Sequence, residues 1–394
     1  MDRNMKKWHS YKLSDVVRFN PSERLLKGEI AKKVPMDLLQ PYTRGISGFE
    51  MASYTGGSKF RNGDTLMARI TPCLENGKTA YVSMLDEDEV GFGSTEYIVF
   101  RNIEGITDNK FVYYFVTSPW FRDIAVKSMV GSSGRQRVQQ AMLENLVVNL
   151  PPLAEQKQIA GILGALDDKI ELNRCINDNL EEQAKALFNH YFIQNTENLG
   201  EWQDGVLTDI AQYLNGLAMQ KYPAMPNEAG LPVLKIKELG QGQCDTNSDR
   251  CSSLIKPEYI ISDGTIIFSW SGTLLVDIWC GGKCGLNQHL FKVSSAKYPQ
   301  WFVFYWTKHH LNKFIRIAKD KAVTMGHIKR CDLEISKVKI PSKQALVNLD
   351  KLFSPIFNRM VTCRIENRKL SSLRDTLLPK LMSGEISVEE VSLA

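Results

Sequence analysis

The sequence predicts an α+β protein in which a mixed α/β domain occurs twice and two long antiparallel coiled-coil helices join the copies with pseudo-two-fold symmetry. Three observations support this fold class. The C-terminal half repeats the pattern of the N-terminal half at an offset of 190 to 194 residues. Each half contains short stretches of alternating apolar and polar residues, which are typical of strands. Each half ends in a long segment with apolar residues every three or four positions, which is typical of a helix.

Length and composition are those of a folded protein with more than one domain. The chain has 394 residues, of which 43% are hydrophobic and 24% charged, so it can form sizeable cores. The net charge of +5 is compatible with nucleic-acid binding but does not require it. The chain has no apolar run of membrane-spanning length and no apolar segment near Met1, so we expect a cytoplasmic protein with no membrane contact. The eight cysteines are widely spaced, so we expect reduced thiols.

Three pairs of matching segments carry the internal repeat. They are 8–16 with 202–210, 109–118 with 300–309, and 143–152 with 333–342. Short apolar matches arise by chance, but the common order and nearly constant offset of these three favour a duplicated architecture. We therefore predict four segments: a first domain at 1–150, a long helix at 151–194, a second domain at 195–340, and a second long helix with a tail at 341–394.

The two long helices show a heptad pattern. The first follows Pro151 and Pro152 and contains no further proline, as expected for a helix that begins there. Apolar residues at one heptad position form a coiled-coil seam. We predict that the helices pair through Ile159, Leu166, Leu180, Leu187, Leu349, Ile356, Leu370 and Leu377. Pro355 predicts an interruption in the first turns of the second helix.

Two amphipathic helices that each pack only on their own domain are the alternative to this pairing. A helix of 40 residues is about 60 Å long, which is more than packing on one domain requires. We therefore favour a paired spacer that holds the two domains apart.

The segments between the helices predict a twisted, mainly antiparallel sheet in each half. The predicted strands are 65–70, 79–85 and 96–100 in the first half, and 265–270, 275–279 and 289–293 in the second. The acidic run 86–89 predicts a solvated hairpin tip. An aromatic helix follows the strands in each half, at 109–127 and 300–319.

Positive charge is concentrated at equivalent places in the two halves. Segment 308–330 has a net charge of +6 and segment 110–137 a net charge of +4, so the rest of the chain is negative. Serine, glutamine and histidine lie among these cations, as phosphate contacts combined with base-edge contacts require. A solvated helix face is the alternative.

We predict DNA contacts from these segments and from the loops between strands. The predicted residues are Lys59, Arg61, Arg69, Thr71, Ser133, Arg135, Gln136 and Arg137 in the first half, and Trp270, Ser271, Thr273, Lys283, Lys321, Thr324, His327 and Lys329 in the second. Gln288 and His289 are further candidates in the same loops. Arginine and lysine can contact guanine, and glutamine can pair with adenine.

Motifs for catalysis and cofactor binding are incomplete. Segment 75–80 contains Gly-Lys-Thr, but Pro72 occupies the place of the first glycine of a phosphate-binding loop. Segment 91–96 has a glutamate in place of the third glycine of a dinucleotide fingerprint. Segment 149–152 has a leucine inserted in the Asn-Pro-Pro loop with which an adenine methyltransferase grips a flipped base. We therefore expect no catalytic residues.

A zinc site formed by four cysteines is an alternative. Cys244, Cys251, Cys280 and Cys284 fall within 41 residues. Their spacing lacks a Cys-x-x-Cys pair, and the histidines show no ligand spacing with them. We therefore predict no metal.

Two motifs resemble those of a known family. PPLAEQKQIAGIL at 151–163 leads into the first long helix, and LLPKLMSGEISV at 377–388 closes the second. They resemble the two conserved regions of the specificity subunit of type I restriction-modification enzymes. The duplication and the alternation of domain and helix agree with this resemblance over essentially the whole chain. The second copy of the first motif departs from the pattern and reads IPSKQAL.

The resemblance implies that different subunits carry out DNA recognition, methylation and cleavage. Residues 1–150 and 195–340 would be target recognition domains that each read half of a bipartite, asymmetric site on double-stranded DNA, while the paired helices set the gap. Two methyltransferase subunits would bind the helices, carry S-adenosylmethionine and methylate adenine. A restriction subunit would supply translocation and cleavage with ATP and Mg. This chain would be non-catalytic and hold no cofactor.

Two other functions remain open at this point. A coiled-coil adaptor that binds only proteins would share the helices but not the DNA contacts. The third hypothesis is an enzyme whose active site the sequence motifs do not reveal.

Overall fold

The protein divides into two compact units in a computed structural model that describes residues 8–194, 202–320 and 326–392. Unit 1 consists of Met1–Glu171 and Leu370–Ala394, and unit 2 of Leu172–Lys369. Each long helix therefore contributes one part to each unit. Every helix in the described ranges is too short or too polar to span a lipid bilayer.

The first half of the chain alternates short strands and short helices before a long helix. In chain order its elements are β1 (His9–Lys12), α1 (Leu13–Val16), β2 (Val17–Phe19), β3 (Ile30–Val34), β4 (Glu50–Ser53), β5 (Lys59–Phe60), β6 (Thr65–Ala68), β7 (Thr79–Tyr81), β8 (Gly91–Gly93), β9 (Tyr97–Asn102), α2 (Asn109–Thr117), α3 (Pro119–Lys127), α4 (Gln140–Glu144), β10 (Val147–Leu150) and α5 (Leu153–Phe188), which continues as a π-helical segment at Asn189–Gln194.

The second half repeats the order of the strands. Its elements are β11 (Gln203–Val206), α6 (Leu207–Ile210), β12 (Gln212–Asn215), β13 (Leu231–Leu234), α7 (Ile236–Gln241), β14 (Arg250–Cys251), β15 (Ile260–Ile261), β16 (Thr265–Ser269), β17 (Leu275–Trp279), β18 (Cys284–Leu286), β19 (Leu290–Ser294), α8 (Gln300–Asp320), α9 (Arg330–Glu334), β20 (Lys337–Ile340), α10 (Lys343–Ser383) and α11 (Val388–Ser392). It also contains α7 and α11, and it has one helix, α8, in place of α2 and α3.

The sheets of the two units have the same topology. In unit 1 the orders are β2-β9-β6-β7, β4-β3-β8-β5 and β1-β10; in unit 2 they are β12-β19-β16-β17, β14-β13-β18-β15 and β11-β20. The single parallel pairing among the described strands of each unit is also equivalent, β3 with β8 and β13 with β18. This agreement confirms the predicted duplication and the α+β fold class.

The predicted strands are present, but the acidic run 86–89 is not a hairpin tip. It connects β7 and β8, which belong to different sheets. Its ends hold Lys32, whose Nζ donates to Asp86 at 2.9 Å and to Glu89 at 2.8 Å. The prediction of a hairpin was wrong because the strands on either side of the run belong to different sheets, but the run is exposed, with Asp86 at 85% and Asp88 at 94%.

The aromatic helix differs between the two units. In unit 1 it is divided into α2 and α3, because Pro119 begins a new helix and the Ser118 hydroxyl caps it by accepting from Phe121 N at 3.3 Å. In unit 2, α8 continues unbroken, since no proline occurs within it. The single helix predicted at 109–127 is therefore corrected to two helices.

The predicted interruption at Pro355 is also wrong. α10 continues through this residue for 41 residues. Two buried aromatic residues flank the proline: Phe353 stacks on Trp301 at 4.3 Å, and Phe357 contacts Phe304 at 5.8 Å. A proline inside a helix costs about 3 kcal/mol, and burial of two phenyl rings in the unit 2 core is sufficient to offset it.

α5 and α10 contact each other within each unit. In unit 1, Asp167 Oδ1 accepts from Arg374 Nη1 at 2.7 Å, and its Oδ2 accepts from the Tyr114 hydroxyl at 2.7 Å. In unit 2, Asn173 Nδ2 donates to Glu366 and Asn367, each at 2.9 Å. In unit 2 the helices run antiparallel, because Phe192, in the π-helical continuation of α5, contacts the earlier residue Phe353 of α10 with ring centroids 6.3 Å apart.

The buried face of α5 is rotated from the predicted heptad seam. Leu163, Ile170, Asn177 and Ala184 form a stripe of buried residues at seven-residue intervals. Of the eight residues predicted to pair the helices, Ile159 and Leu349 are buried. The other six, Leu166, Leu180, Leu187, Ile356, Leu370 and Leu377, are partly buried. The rotation arises because α5 also packs on the globular part of each unit, with Leu163 in the unit 1 core and Ala184 in the unit 2 core.

We predict that Asp167→Ala lowers the free energy of unfolding by about 3 kcal/mol or more. The change removes the buried partner of Arg374, whose other ion pair is with the exposed Asp375, and it removes the acceptor of the Tyr114 hydroxyl. The Asp167 side chain is 3% exposed and that of Arg374 12%. The neighbouring Asp168 is 61% exposed and pairs with Arg44, so Asp168→Ala is a matched control expected to cost less than about 1 kcal/mol. Urea denaturation of the full chain measures both, and equal losses would contradict the assignment.

The buried His310 predicts a pH dependence of stability. Its Nε2 lies 2.8 Å from the Lys337 carbonyl oxygen, and burial lowers its pKa to about 4. In the unfolded chain an imidazole titrates near pH 6.5, so between these values the unfolded state binds a proton that the folded state does not. Stability should therefore fall as the pH falls from about 6.5 to about 4. In His310→Gln this part of the slope should be absent, as measured by thermal unfolding midpoints across that range; an unchanged slope would contradict the assignment.

Candidate nucleic-acid interface

Two loops meet in unit 1 through backbone hydrogen bonds. The segment after β6 bonds to the segment before α4: Thr71 N donates to Gln136 O at 3.0 Å and Val138 N to Arg69 O at 2.9 Å, and Ile70 forms a bridge with Arg137. We call residues 69–71 and 130–138 loop pair 1. Its two segments are separated by about 60 residues in the sequence, so only the folded sheet brings them together.

The same contacts recur in unit 2. Gly272 N donates to Gly326 O at 3.0 Å and Ile328 N to Trp270 O at 3.1 Å. Ser271 forms a bridge with His327. We call residues 270–273 and 326–329 loop pair 2. The duplicated domain thus places an equivalent pair of loops at the end of an equivalent strand, β6 or β16.

A glycine turn shapes loop pair 1. Gly134 has φ +77°, and Gly131 has φ +135° with the Arg135 carbonyl oxygen 3.0 Å from the position of a Cβ. These conformations suit glycine and little else. The turn returns the chain so that Arg137 pairs with Val130 in a second backbone bridge.

Loop pair 1 brings together most of the residues predicted in the first half. They are Arg69, Thr71, Ser133, Arg135, Gln136 and Arg137. Loop pair 2 contains Trp270, Ser271, Thr273, His327 and Lys329. Lys283 lies outside it, in an exposed turn before β18. Lys321 and Thr324 lie outside the described residues.

Lys59 and Arg61 have partners within the fold. Lys59 Nζ donates to the carbonyl oxygens of Glu23 at 2.8 Å and Leu25 at 3.1 Å. Arg61 forms an ion pair with Glu23 at 2.7 Å, and Glu23 also pairs with Arg101. Both cations therefore hold the segment around Glu23 against β5 and are less available to a phosphate than Arg135.

The surface of loop pair 1 is cationic and polar. Arg137 donates from Nε and Nη2 to the Glu96 carboxylate at 2.7 to 3.0 Å. Hydrogen bonds with Glu96 raise the pKa of Arg137 above its usual value. Arg135 is exposed. Arg69 Nε and Thr71 Oγ1 are buried and have no hydrogen-bond partner among the described residues.

The surface of loop pair 2 is aromatic instead. The Trp270 ring lies 5.7 Å from Phe291, 6.0 Å from His289 and 6.4 Å from His327, measured between ring centroids. Its Nε1 donates to Asn215 Oδ1 at 2.9 Å. His289 Nδ1 is buried without a hydrogen-bond partner in the described part of the chain. The two surfaces share a backbone arrangement but differ in chemistry.

Two residues of this site were missed by the sequence predictions. Glu96 holds Arg137, and Asn215 holds Trp270. The sequence predicts Glu96 only as the first residue of the strand at 96–100, and its place one residue before β9 was the available signal. Asn215 ends β12, which pairs with β19 and not with the strand that precedes Trp270, so no local pattern connects it to the site.

The four cysteines considered as zinc ligands do not converge. Cys280, Cys251 and Cys284 lie in three different core clusters, and Cys244 packs in the cluster of Cys284. No group of three or more histidine, cysteine, aspartate or glutamate side chains within residues 8–194, 202–320 and 326–392 is arranged to hold a metal ion.

The chain is similar to proteins of one family. Residues 5–182 match the family described as type I restriction modification DNA specificity domain. The type I restriction enzyme MjaIX specificity subunit of Methanocaldococcus jannaschii is 27% identical over 321 residues, covering 74% of this chain and 73% of that protein. The EcoAI specificity subunit of Escherichia coli is 33% identical over 207 residues, covering 51% of this chain and 33% of that protein.

A solved structure shows the same fold. The crystal structure of the type I restriction-modification S subunit from M. genitalium has a TM-score of 0.56 at 16% identity, covering 97% of this chain and 98% of that one. The repeated domains, the two long helices and the sequence matches agree. In sequence and in fold, the chain is similar to the specificity subunits of type I restriction-modification enzymes.

Proposed function

We propose that this chain reads a bipartite, asymmetric DNA sequence and directs adenine methylation, and cleavage, by partner subunits. Residues 1–150 and 195–340 act as the two target recognition domains, and the helices at 151–194 and 341–394 connect them. One observation carries the proposal: an equivalent pair of loops occurs in both domains with different side chains. Equivalent backbones with different side chains suit two related readers of two different half-sites.

Loop pair 1 has side chains suited to contacts with phosphates and others suited to contacts with base edges. Arg135 is exposed on its turn and suits a phosphate. Gln136 is partly buried beside it and suits a base edge. In unit 2, Lys329 and Lys283 are exposed cations, while Trp270 supplies an apolar surface. Because the two surfaces differ in charge and polarity, the two half-sites should differ in sequence.

The long helices support the proposal of a fixed gap between half-sites. α5 has 36 residues and α10 has 41. Buried polar contacts at Asp167 and Asn173 fix the register of the pairing inside each unit. A rigid helical pair would keep the number of unread base pairs constant.

The chemistry would come from other subunits. The relatives are named specificity subunits of type I restriction enzymes, which assigns them one part of a larger enzyme. We propose that two methyltransferase subunits bind this chain and supply S-adenosylmethionine, and that restriction subunits supply ATP- and Mg-dependent translocation and cleavage. This chain would be non-catalytic and would contribute the choice of sequence.

Neutralising one cation in each loop pair should weaken duplex binding. Arg135→Gln and Lys329→Gln each remove a phosphate contact, so each should reduce affinity and lower the slope of log affinity against log salt by about 1. Fluorescence anisotropy with a labelled duplex across salt concentrations measures this. Lys127→Gln is the matched control, since Lys127 is exposed on α3 and pairs with Asp123 at 2.6 Å. A wild-type chain that binds no duplex, with or without methyltransferase subunits, would favour a protein-binding adaptor.

Lengthening both helices should lengthen the gap. The variant has seven residues inserted between Asn173 and Arg174 and seven more between Ile365 and Glu366. Each helix becomes about 10.5 Å longer, which corresponds to about three base pairs of DNA. Sequencing of methylated adenines in a host that carries the partner subunits reads the bipartite site, which should vanish when the gene is deleted. We expect both half-sites unchanged and the gap longer. A seven-residue insertion after Gly105, in an exposed turn, should leave the gap as it is. An unchanged gap in the helix variant would defeat the spacer proposal.

A further inference from the structure

Three backbone positions are equivalent in the two units. Arg69 N donates to Glu96 O at 2.9 Å, and Ile70, next to Arg69, bridges Arg137. Trp270 N donates to His289 O at 3.4 Å, and Ser271, next to Trp270, bridges His327. We call Arg69, Glu96 and Arg137 triplet 1, and Trp270, His289 and His327 triplet 2.

The two triplets differ completely in side-chain chemistry. Triplet 1 has two guanidinium groups and a carboxylate, and its Arg137–Glu96 pair is bidentate. Triplet 2 has three rings, with centroids of His289 and His327 at 6.0 and 6.4 Å from that of Trp270. Because backbone atoms make the contacts that define these positions, the side chains can differ while the loops keep their arrangement.

Each triplet also contains an unsatisfied polar atom. Arg69 Nε and His289 Nδ1 are buried and have no hydrogen-bond partner among the described residues. An unpaired buried polar group destabilises the free protein, so such atoms point to a ligand that satisfies them. A ligand can reach each triplet through its exposed residue: the Arg137 side chain is 45% exposed, and His327 is exposed.

The Arg137–Glu96 geometry suits a guanine edge. Glu96 engages the Nε/Nη2 side of the guanidinium, and Nη1 makes only a 3.4 Å contact with the Arg135 carbonyl oxygen among the described residues. The Nη1/Nη2 edge is therefore oriented by Glu96 and remains for a second bidentate partner. Guanine O6 and N7 are such a partner in the major groove.

Triplet 2 contains no guanidinium group that could form such a bidentate contact. The Trp270 indole uses its Nε1 donor on Asn215, so the exposed part of its partly buried ring offers an apolar surface to a base. The thymine methyl group is the apolar feature of the major groove.

We propose that the two triplets determine the sequences of the two half-sites, with Arg137 reading a guanine in one and Trp270 contacting a thymine methyl group in the other. Glu96 is a positioning residue that acts through Arg137. This inference rests on the proposed function and adds to it the residues and base classes that distinguish the two half-sites.

Base preferences of variants test the inference in the complex with methyltransferase subunits. Sequencing of methylated adenines first defines the wild-type bipartite site. Arg137→Gln should change one position of one half-site from guanine to adenine by at least about tenfold, because glutamine pairs with adenine N6 and N7. Trp270→Ala should lose the thymine preference at one position of the other half-site, and Trp270→Phe should retain it. Lys127→Gln is the control and should alter neither half.

Glu96→Gln provides the test of positioning and the second variant if Arg137→Gln does not fold. It removes the carboxylate but leaves Arg137 in place, so preference at the same guanine should fall while the other half-site and the affinity for non-specific duplex are unchanged. Variants that leave both half-sites as in the wild type would overturn the inference, as would Arg137→Gln and Trp270→Ala acting on the same half-site. A wild-type complex with no bipartite site would instead overturn the proposed function.

Discussion

Backbone hydrogen bonds between two loops fix the surface through which, in our proposal, each repeated domain contacts DNA. In unit 1 they join Arg69 and Thr71 to Val138 and Gln136, and in unit 2 they join Trp270 and Gly272 to Ile328 and Gly326. Since N–H and C=O groups make these bonds, the arrangement does not depend on side-chain identity. A duplicated domain can therefore keep one scaffold and carry two sets of reading residues. Because the backbone contacts do not depend on the side chains, the charged side chains of triplet 1 and the aromatic side chains of triplet 2 can occupy equivalent positions.

Buried polar contacts restrict the register of the two long helices. Apolar seams alone permit several registers, whereas a polar pair in the seam permits one. Asp167 with Arg374 in unit 1, and Asn173 with Glu366 and Asn367 in unit 2, are contacts of this kind. The spacing between half-sites in our proposal depends on this register.

Local patterns in the sequence predicted the strands around 65–68 and 265–269, the repeat and the long helices, because each depends on periodicity within one segment. They could not predict the phase of α5, since its buried face is set by the domains it packs on as well as by α10. Pro355 was misread because the aromatic core that holds the helix there comes from α8. The same limit applied to the site: Lys59 looked like Arg135 in the sequence, but the fold places it against the Glu23 carbonyl oxygen.

The most direct measurement is a structure of this chain with its partner subunits on a duplex that contains its modification site. We expect loop pair 1 to lie in the groove of one half-site and loop pair 2 in that of the other, with side chains of both within hydrogen-bond or van der Waals distance of base edges. A complex in which both loop pairs face away from the duplex, or in which one domain alone contacts both half-sites, would contradict this expectation.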